Sequence, residues 1–300
     1  MADVAAELTD DVPAQKPKRS SWPAMKIAHA QGHMLALRSR VQVWVATQPV
    51  GIDVKIHDDR LGASWKLTVR AEPPLNEWSL LVGDCVHQLR SALDACIWDL
   101  VTASGVTPKN PQRIQFPIGY DAAKWPDVVN DRLAGLPDDI TERVRSVQPF
   151  NREEAERQND GLVILQRLNN TDKHQASIGV SVAMHQSSHE VSVKFATEEA
   201  SERNTPPNVA FGSQAFVNGA TLAELHTIDP IERVDGEWGF VLGLTIDTPI
   251  GEQPAFETLE NLVGYVSQVL AVVYGPARDK SKSPTGDDDW IDYDPANLDD

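Results

Sequence analysis

The stretch from Gly83 to Leu100, GDCVHQLRSALDACIWDL, constrains this chain more than any other. At about 100° per residue it divides into two helical faces. Val86, Leu89, Leu93, Ile97 and Leu100 fall on one side. Asp84, His87, Arg90, Ser91 and Asp94 fall on the other, and Leu80 and Trp98 close the polar stripe at its ends. Such a helix has to bury its apolar face against other elements. The stripe admits two readings. It is the solvated side of a half-buried helix, or it belongs to a site, because it mixes acid, imidazole and guanidinium where Lys and Glu are usual.

The rest of the chain supplies partners for that helix. Trp22-Pro23 opens a helical pattern through Met25, Ala28, Leu35, Leu37, Val41 and Val45, stopped by Pro49. Ile52–Ile56 and Trp65–Val69 alternate apolar with polar residues around a turn-like Asp58–Gly62 link, which predicts a β-hairpin. The central helix is expected from about Leu75 to Ala103. Asp121–Leu133 and Asp138–Val147 read as short helices, each opened by an Asp at the N-cap. Asp160 caps a further helix that runs into Asn169-Asn170-Thr171-Asp172-Lys173-His174. From Ala176 the period changes to two. Strands are expected at Ile178–Val182, Val191–Phe195, Val209–Phe211, Gln214–Val217 and Phe240–Ile246, with a polar loop over Glu198–Pro207. Phe256–Val273 is the last helix. The pattern predicts an α+β fold, a helical bundle with an antiparallel β-rich insert over about 176–250 and an N-terminal β-hairpin. One domain is expected over 22–275, between a disordered segment 1–21 and a disordered acidic tail 276–300.

Charge narrows the function. The net charge is −17, and seven aspartates follow the last basic residue, Lys282; without them the remainder is still −10. Bulk-charge binding to nucleic acid is disfavoured, because phosphate neutralisation needs a basic surface. The tail's Asp287-Asp288-Asp289-Trp290-Ile291-Asp292-Tyr293 reads as a solubilising segment or as a short partner-binding peptide. Cys85 and Cys96, eleven residues apart on one helix, would stand ~16 Å from each other, too far for a disulfide. They read as buried hydrophobes in a reducing compartment. No apolar run reaches the ~20 residues of a membrane span. The expected location is cytoplasmic, with no membrane partner.

A second polar group is Arg167-Leu-Asn-Asn-Thr-Asp-Lys-His174. Arg167, Asn170 and His174 share one helical face. An Arg beside a His can hold a phosphate and move a proton, as metal-free RNA cleavage through the 2′-hydroxyl requires. Equally, Arg167 is solvated and Asn169–Asp172 simply ends the helix. His29 with His33 and Asp84 with His87 have metal-ligand spacing, but Gly32 weakens the first pair and no second acid-x-x-His motif occurs. No metal and no cofactor are expected.

GDCVHQLRSALD and LNNTDKH resemble the two signature segments of a family of bacterial and phage-borne proteins without an assigned activity. Its pattern is close to G-D-x-x-H-x-L-R-S-A-L-D-H, then an F-P-I element, then D-K-H-R. Phe116-Pro117-Ile118 stands where the middle element belongs, and the likeness covers roughly residues 75–175. R-S-A-L-D-H also resembles the R-x(4–6)-H signature of HEPN domains, helical bundles that are often dimeric and often metal-independent ribonucleases of toxin and defence systems. Here Ala95 occupies the position of that histidine. Arg167 and His174, with six residues between them, fit the looser spacing. The resemblance implies either a non-catalytic interaction or defence-associated protein, or a ribonuclease using Arg167 and His174 with Asn170. It implies a protein partner or RNA, and a homodimer. Asp84, His87, Arg90, Asp94, Asp172 and Lys173 are then a structural or binding network, with Arg90, His87 or Asp94 within reach of Asp172 or His174.

Overall fold

A computed structural model describes residues 21–174, 177–212 and 215–275. The expected tails, 1–20 and 276–300, lie outside the described residues. The described chain is mixed α and β, with seven α-helices and two antiparallel sheets.

Helix α1 (Trp22–Ala46) starts at Ser21, whose hydroxyl accepts from the Ala24 N–H at 3.4 Å, with Pro23 in the first turn. Strands β1 (Val50–Ile56) and β2 (Gly62–Val69) pair antiparallel, with Ile52 opposite Leu67 and Val54 opposite Trp65. Asp59 Oδ1 accepts from the Leu61 N–H at 2.9 Å and shapes the turn between them. Helix α2 (Leu75–Ala103) follows Pro73-Pro74 and carries the Gly83–Leu100 stretch. Leu89, Leu93 and Ile97 are completely buried, as their spacing requires. The burial goes further than a half-buried helix. Ser79, Val82, Gly83, Cys85 and Arg90 are also covered, because α2 packs against α1, α5, α7 and β3.

Two short helices come next, α3 (Trp125–Arg132) and α4 (Asp138–Ser146). Neither opens on an Asp cap. Asp121 instead caps a 3-10 turn at 122–124, since Pro126 fixes the start of α3 one turn later. Pro137 precedes α4, and Asp138 lies inside its first turn, where a carboxylate suits the helix dipole. In helix α5 (Gly161–His174) Asp160 does act as the cap, accepting from the Leu162 N–H at 2.9 Å.

The β segment departs most from its expected form. Ile178–Val182 and Val191–Phe195 are not two strands; they overlap the ends of one 16-residue strand, β3 (Val180–Phe195). The polar stretch from Glu198 folds into α6 (Glu198–Arg203), capped by Thr197 Oγ1 on the Ala200 N–H at 3.2 Å. Strand β4 (Asn208–Phe211) precedes residues 215–217, which form no strand, and Gln214 lies outside the described residues. Strand β5 (Thr221–His226), the long β6 (Ile231–Thr248), the short β7 (Gly251–Pro254) and helix α7 (Ala255–Tyr274) complete the chain.

The sheet order is β1-β2-β5-β4 in one sheet and β3-β6-β7 in the other. The segment 50–69 is therefore not a unit apart. Strand β2 pairs with β5, Trp65 opposite Ala223, and so draws the later strands onto the earlier ones. The β3–β6 ladder serves two cores. Its base, at Val180, Val182, Leu244 and Ile246, packs on the helices, and its far end covers Trp65, Leu67, Leu222 and Leu225 of the other sheet. No helix among the described residues is long and apolar enough to cross a membrane.

Candidate functional site at the seam of α2 and α5

Arg90 belongs by periodicity to the polar stripe, yet it is only 6% exposed. The loop after α2 accounts for this. Arg90 Nη2 donates to the Phe116 carbonyl at 2.8 Å, and Nη1 lies 2.9 Å from Asp94 Oδ1, one turn along the helix. Asp94 Oδ1 in turn accepts from the Phe116 N–H at 2.9 Å. Arg90, Asp94 and both backbone groups of Phe116 thus form a closed ring, with the Phe116 ring in the core. Burial lowers the basicity of Arg90 and raises the Asp94 carboxyl above its usual range, while their mutual attraction offsets part of each shift. Two further cations act on Asp94, Lys173 from α5 and Arg132 from α3. The R-S-A-L-D and F-P-I segments are thus bonded to each other, and Lys173 of the D-K pair is close enough for its charge to act on Asp94.

Along α2 the stripe narrows to a line. Asp84 is 3.8 Å from His33 of α1, whose ring stacks edge-on against His29 at 4.7 Å. His87 and Ser91 face each other at 3.5 Å. Gly83 sets the approach of α5, because a Cβ there would run into the Asp172 carboxylate. The expected ion pairs to Asp172 do not form. Arg90 turns along its own helix to Asp94, which already offers a charge beside the Phe116 carbonyl, and α5 opposes Asp94 with Lys173 instead. Arg167 is bonded to Gln158 in the 3-10 turn before α5, and Asn170 accepts from Gln166 Nε2 of α5 itself at 2.8 Å. His174 closes α5, and its side chain lies outside what the structure describes.

Among the described residues no three His, Cys, Asp or Glu side chains converge as a metal set. Both cysteines are buried and unpaired. Burial pushes the Cys85 thiol up to about 12 and that of Cys96 higher still. The native protein should therefore resist a thiol reagent such as Ellman's at pH 8. Both thiols should react once guanidinium unfolds it; fast labelling of the native protein would contradict this.

Sequence reasoning missed a second polar cluster. A cleft of about 540 Å3 opens beside the start of α5, lined in part by Arg152, Asp160, Ile164, Thr248, Asn261 and Tyr265. Tyr265 Oη donates to Asp160 Oδ2 at 2.8 Å and Arg152 Nε to the same oxygen at 3.1 Å. Gly161 makes room for the Tyr265 ring. The cap residue Asp160 was legible; its partners, 8 and 105 residues away, carry no local signal. No protein-family model matches this chain, nor does any curated protein or solved structure.

Proposed function

We propose that this chain is a non-catalytic interaction protein whose four long helices act as a bundle-like scaffold around α2. The observation that carries this reading is the ring of Arg90, Asp94 and Phe116. The arginine that a HEPN-like nuclease would expose to RNA is here 6% exposed, with Nη2 bonded to the Phe116 carbonyl and Nη1 beside the Asp94 carboxylate. Ala95 at the histidine position fits the same role. The motif ties the Phe116 loop to the central helix, and the surfaces that the scaffold holds are left for a protein partner.

A metal-independent ribonuclease is the second reading. What favours it is the charge near Asp94, where Arg90, Arg132 and Lys173 outnumber the single carboxylate within an acidic chain. Arg167 and His174, two turns apart on α5, would hold phosphate and move the proton. Incubating the purified protein with tRNA in excess EDTA separates the two. The interaction reading expects intact RNA from the wild type and from Ala95→His. Cleavage lost in both Arg167→Ala and His174→Ala would overturn it in favour of the enzyme.

A further inference from the structure

The cleft beside the start of α5 is walled by three segments that lie far apart in the chain. The stretch before α5 contributes Arg152, Glu156 and Asn159, the β6–β7 hairpin contributes Gln253, and α7 contributes Asn261 and Tyr265. Its volume, about 540 Å3, falls within the range of small-molecule sites. The floor is fixed in place. The Asp160 side chain is 1% exposed, and its carboxylate accepts from Arg152, from Tyr265 and from the Leu162 N–H. The Tyr265 ring packs against Gly161, where a Cβ would fall 2.7 Å from it. Around this floor stand groups with unused hydrogen-bonding capacity. The amides of Asn159, Gln253 and Asn261 and the carboxylate of Glu156 have no partner among the described residues. Arg152 bonds through Nε and Nη2, which leaves Nη1 to the cleft. Ile164 and the exposed Ile250 add aliphatic surface between these polar groups.

We infer that this cleft binds a neutral mono- or disaccharide. Charge decides the class of ligand. An anionic group drawn to Arg152 meets Glu156 and a chain of net charge −17, while a cationic group drawn to Glu156 meets Arg152. A hydroxyl both donates and accepts, so it serves guanidinium, carboxylate and amide alike without carrying a charge. Each amide likewise offers two donors and an acceptor, which suits neighbouring hydroxyls on one ring. The C–H faces of a sugar ring match the aliphatic side chains set between the polar ones. Tyr265 is the single aromatic ring among the described lining residues, so no pair of aromatic faces stands ready to sandwich a nucleobase.

Saturation-transfer NMR on the full chain tests this with glucose, galactose, mannose, N-acetylglucosamine and maltose at millimolar concentration. At least one of these sugars is expected to receive signal from the protein, with a Kd on the order of a millimolar for so small a ligand. The 6-phosphate and 2-amino derivatives of the sugar that binds best should bind more weakly than it does. Gln253→Ala with Asn261→Ala should weaken binding about tenfold, as the loss of two neutral hydrogen bonds requires. Asn261→Trp, at an exposed position of α7, should fill the cleft and abolish binding while the circular dichroism stays unchanged. Silence from all of these sugars, equal or tighter binding of a charged derivative, or binding that survives the substitutions would each overturn the inference. So would adenosine binding where no sugar binds. The inference goes beyond the scaffold reading, and the RNA assay does not bear on it, so either can fail alone.

Discussion

Leu93→Asp is expected to leave the chain unable to fold. Leu93 is completely buried on the helix that contacts α1, α5, α7 and β3, and its neighbours Leu89, Ala92, Cys96 and Ile97 are equally covered. An aspartate there either sits in the core among apolar side chains or forces the helix out of it. The milder Leu93→Ala calibrates the site. It should cost about 3–4 kcal/mol through lost transfer energy and the cavity left behind. Circular dichroism with urea denaturation reads both. A native-like spectrum and a cooperative transition from Leu93→Asp would mean that α2 is not the centre of the helical layer.

Arg90→Ala should be the next most damaging change. It removes the donor to the Phe116 carbonyl and the cation beside Asp94, which keeps its bond from the Phe116 N–H and the more distant charges of Lys173 and Arg132. Breaking one side of a buried pair costs about 3–5 kcal/mol. Asp94 is more than a third exposed, and water screens part of that loss, so about 3 kcal/mol is expected. Arg90→Met, which keeps much of the packing, should recover part of it. Proteolysis sharpens the test, because the loop around Phe116 is fastened by this ring and should become a preferred cleavage site in Arg90→Ala. If that variant were as stable as the wild type, the motif would not be structural, and the case for a non-catalytic role would fall with it.

The helices were legible because their information is local. A period of 3.6, with Pro49 as the stop of the first helix, places α1, α2 and α7 to within a residue or two. The side chains of Asp160 and the apolar line of α5 do the same for the fifth helix. The candidate site was half legible. The sequence named Arg90, Asp94 and Lys173 as members of a polar network and Phe116 only as part of a motif; Arg90 and Asp94 both bond the Phe116 backbone, and the charge of Lys173 acts on Asp94. It put Arg90 on the wet face because helical angle knows nothing of what covers it. That covering comes from a loop 26 residues on, through a backbone carbonyl that no side-chain pattern reports.

The sheets went the other way. Alternation marks a strand only while its register holds, and a bulge between Met184 and Gln186 moves the packed residues of β3 from even positions, Val180 and Val182, to odd ones, Val191 and Val193. Strand β3 therefore reads as two fragments, whereas β6 keeps its packed residues on one face from Val234 to Ile246 but is too polar in its outer half, around Asp235-Gly236-Glu237, to read as a strand there. The pairing of Trp65 with Ala223 joins strands more than 150 residues apart, and a bulge after Trp65 shifts the register. The sequence by itself determined where the long helices lie and which face of α2 is buried, since periodicity and stop residues act within a few turns. Only the tertiary structure decided which strands share a sheet, why α5 approaches at Gly83, and that Arg90 is buried against the Phe116 carbonyl. Those follow from contacts between segments distant in the chain, which no local pattern encodes.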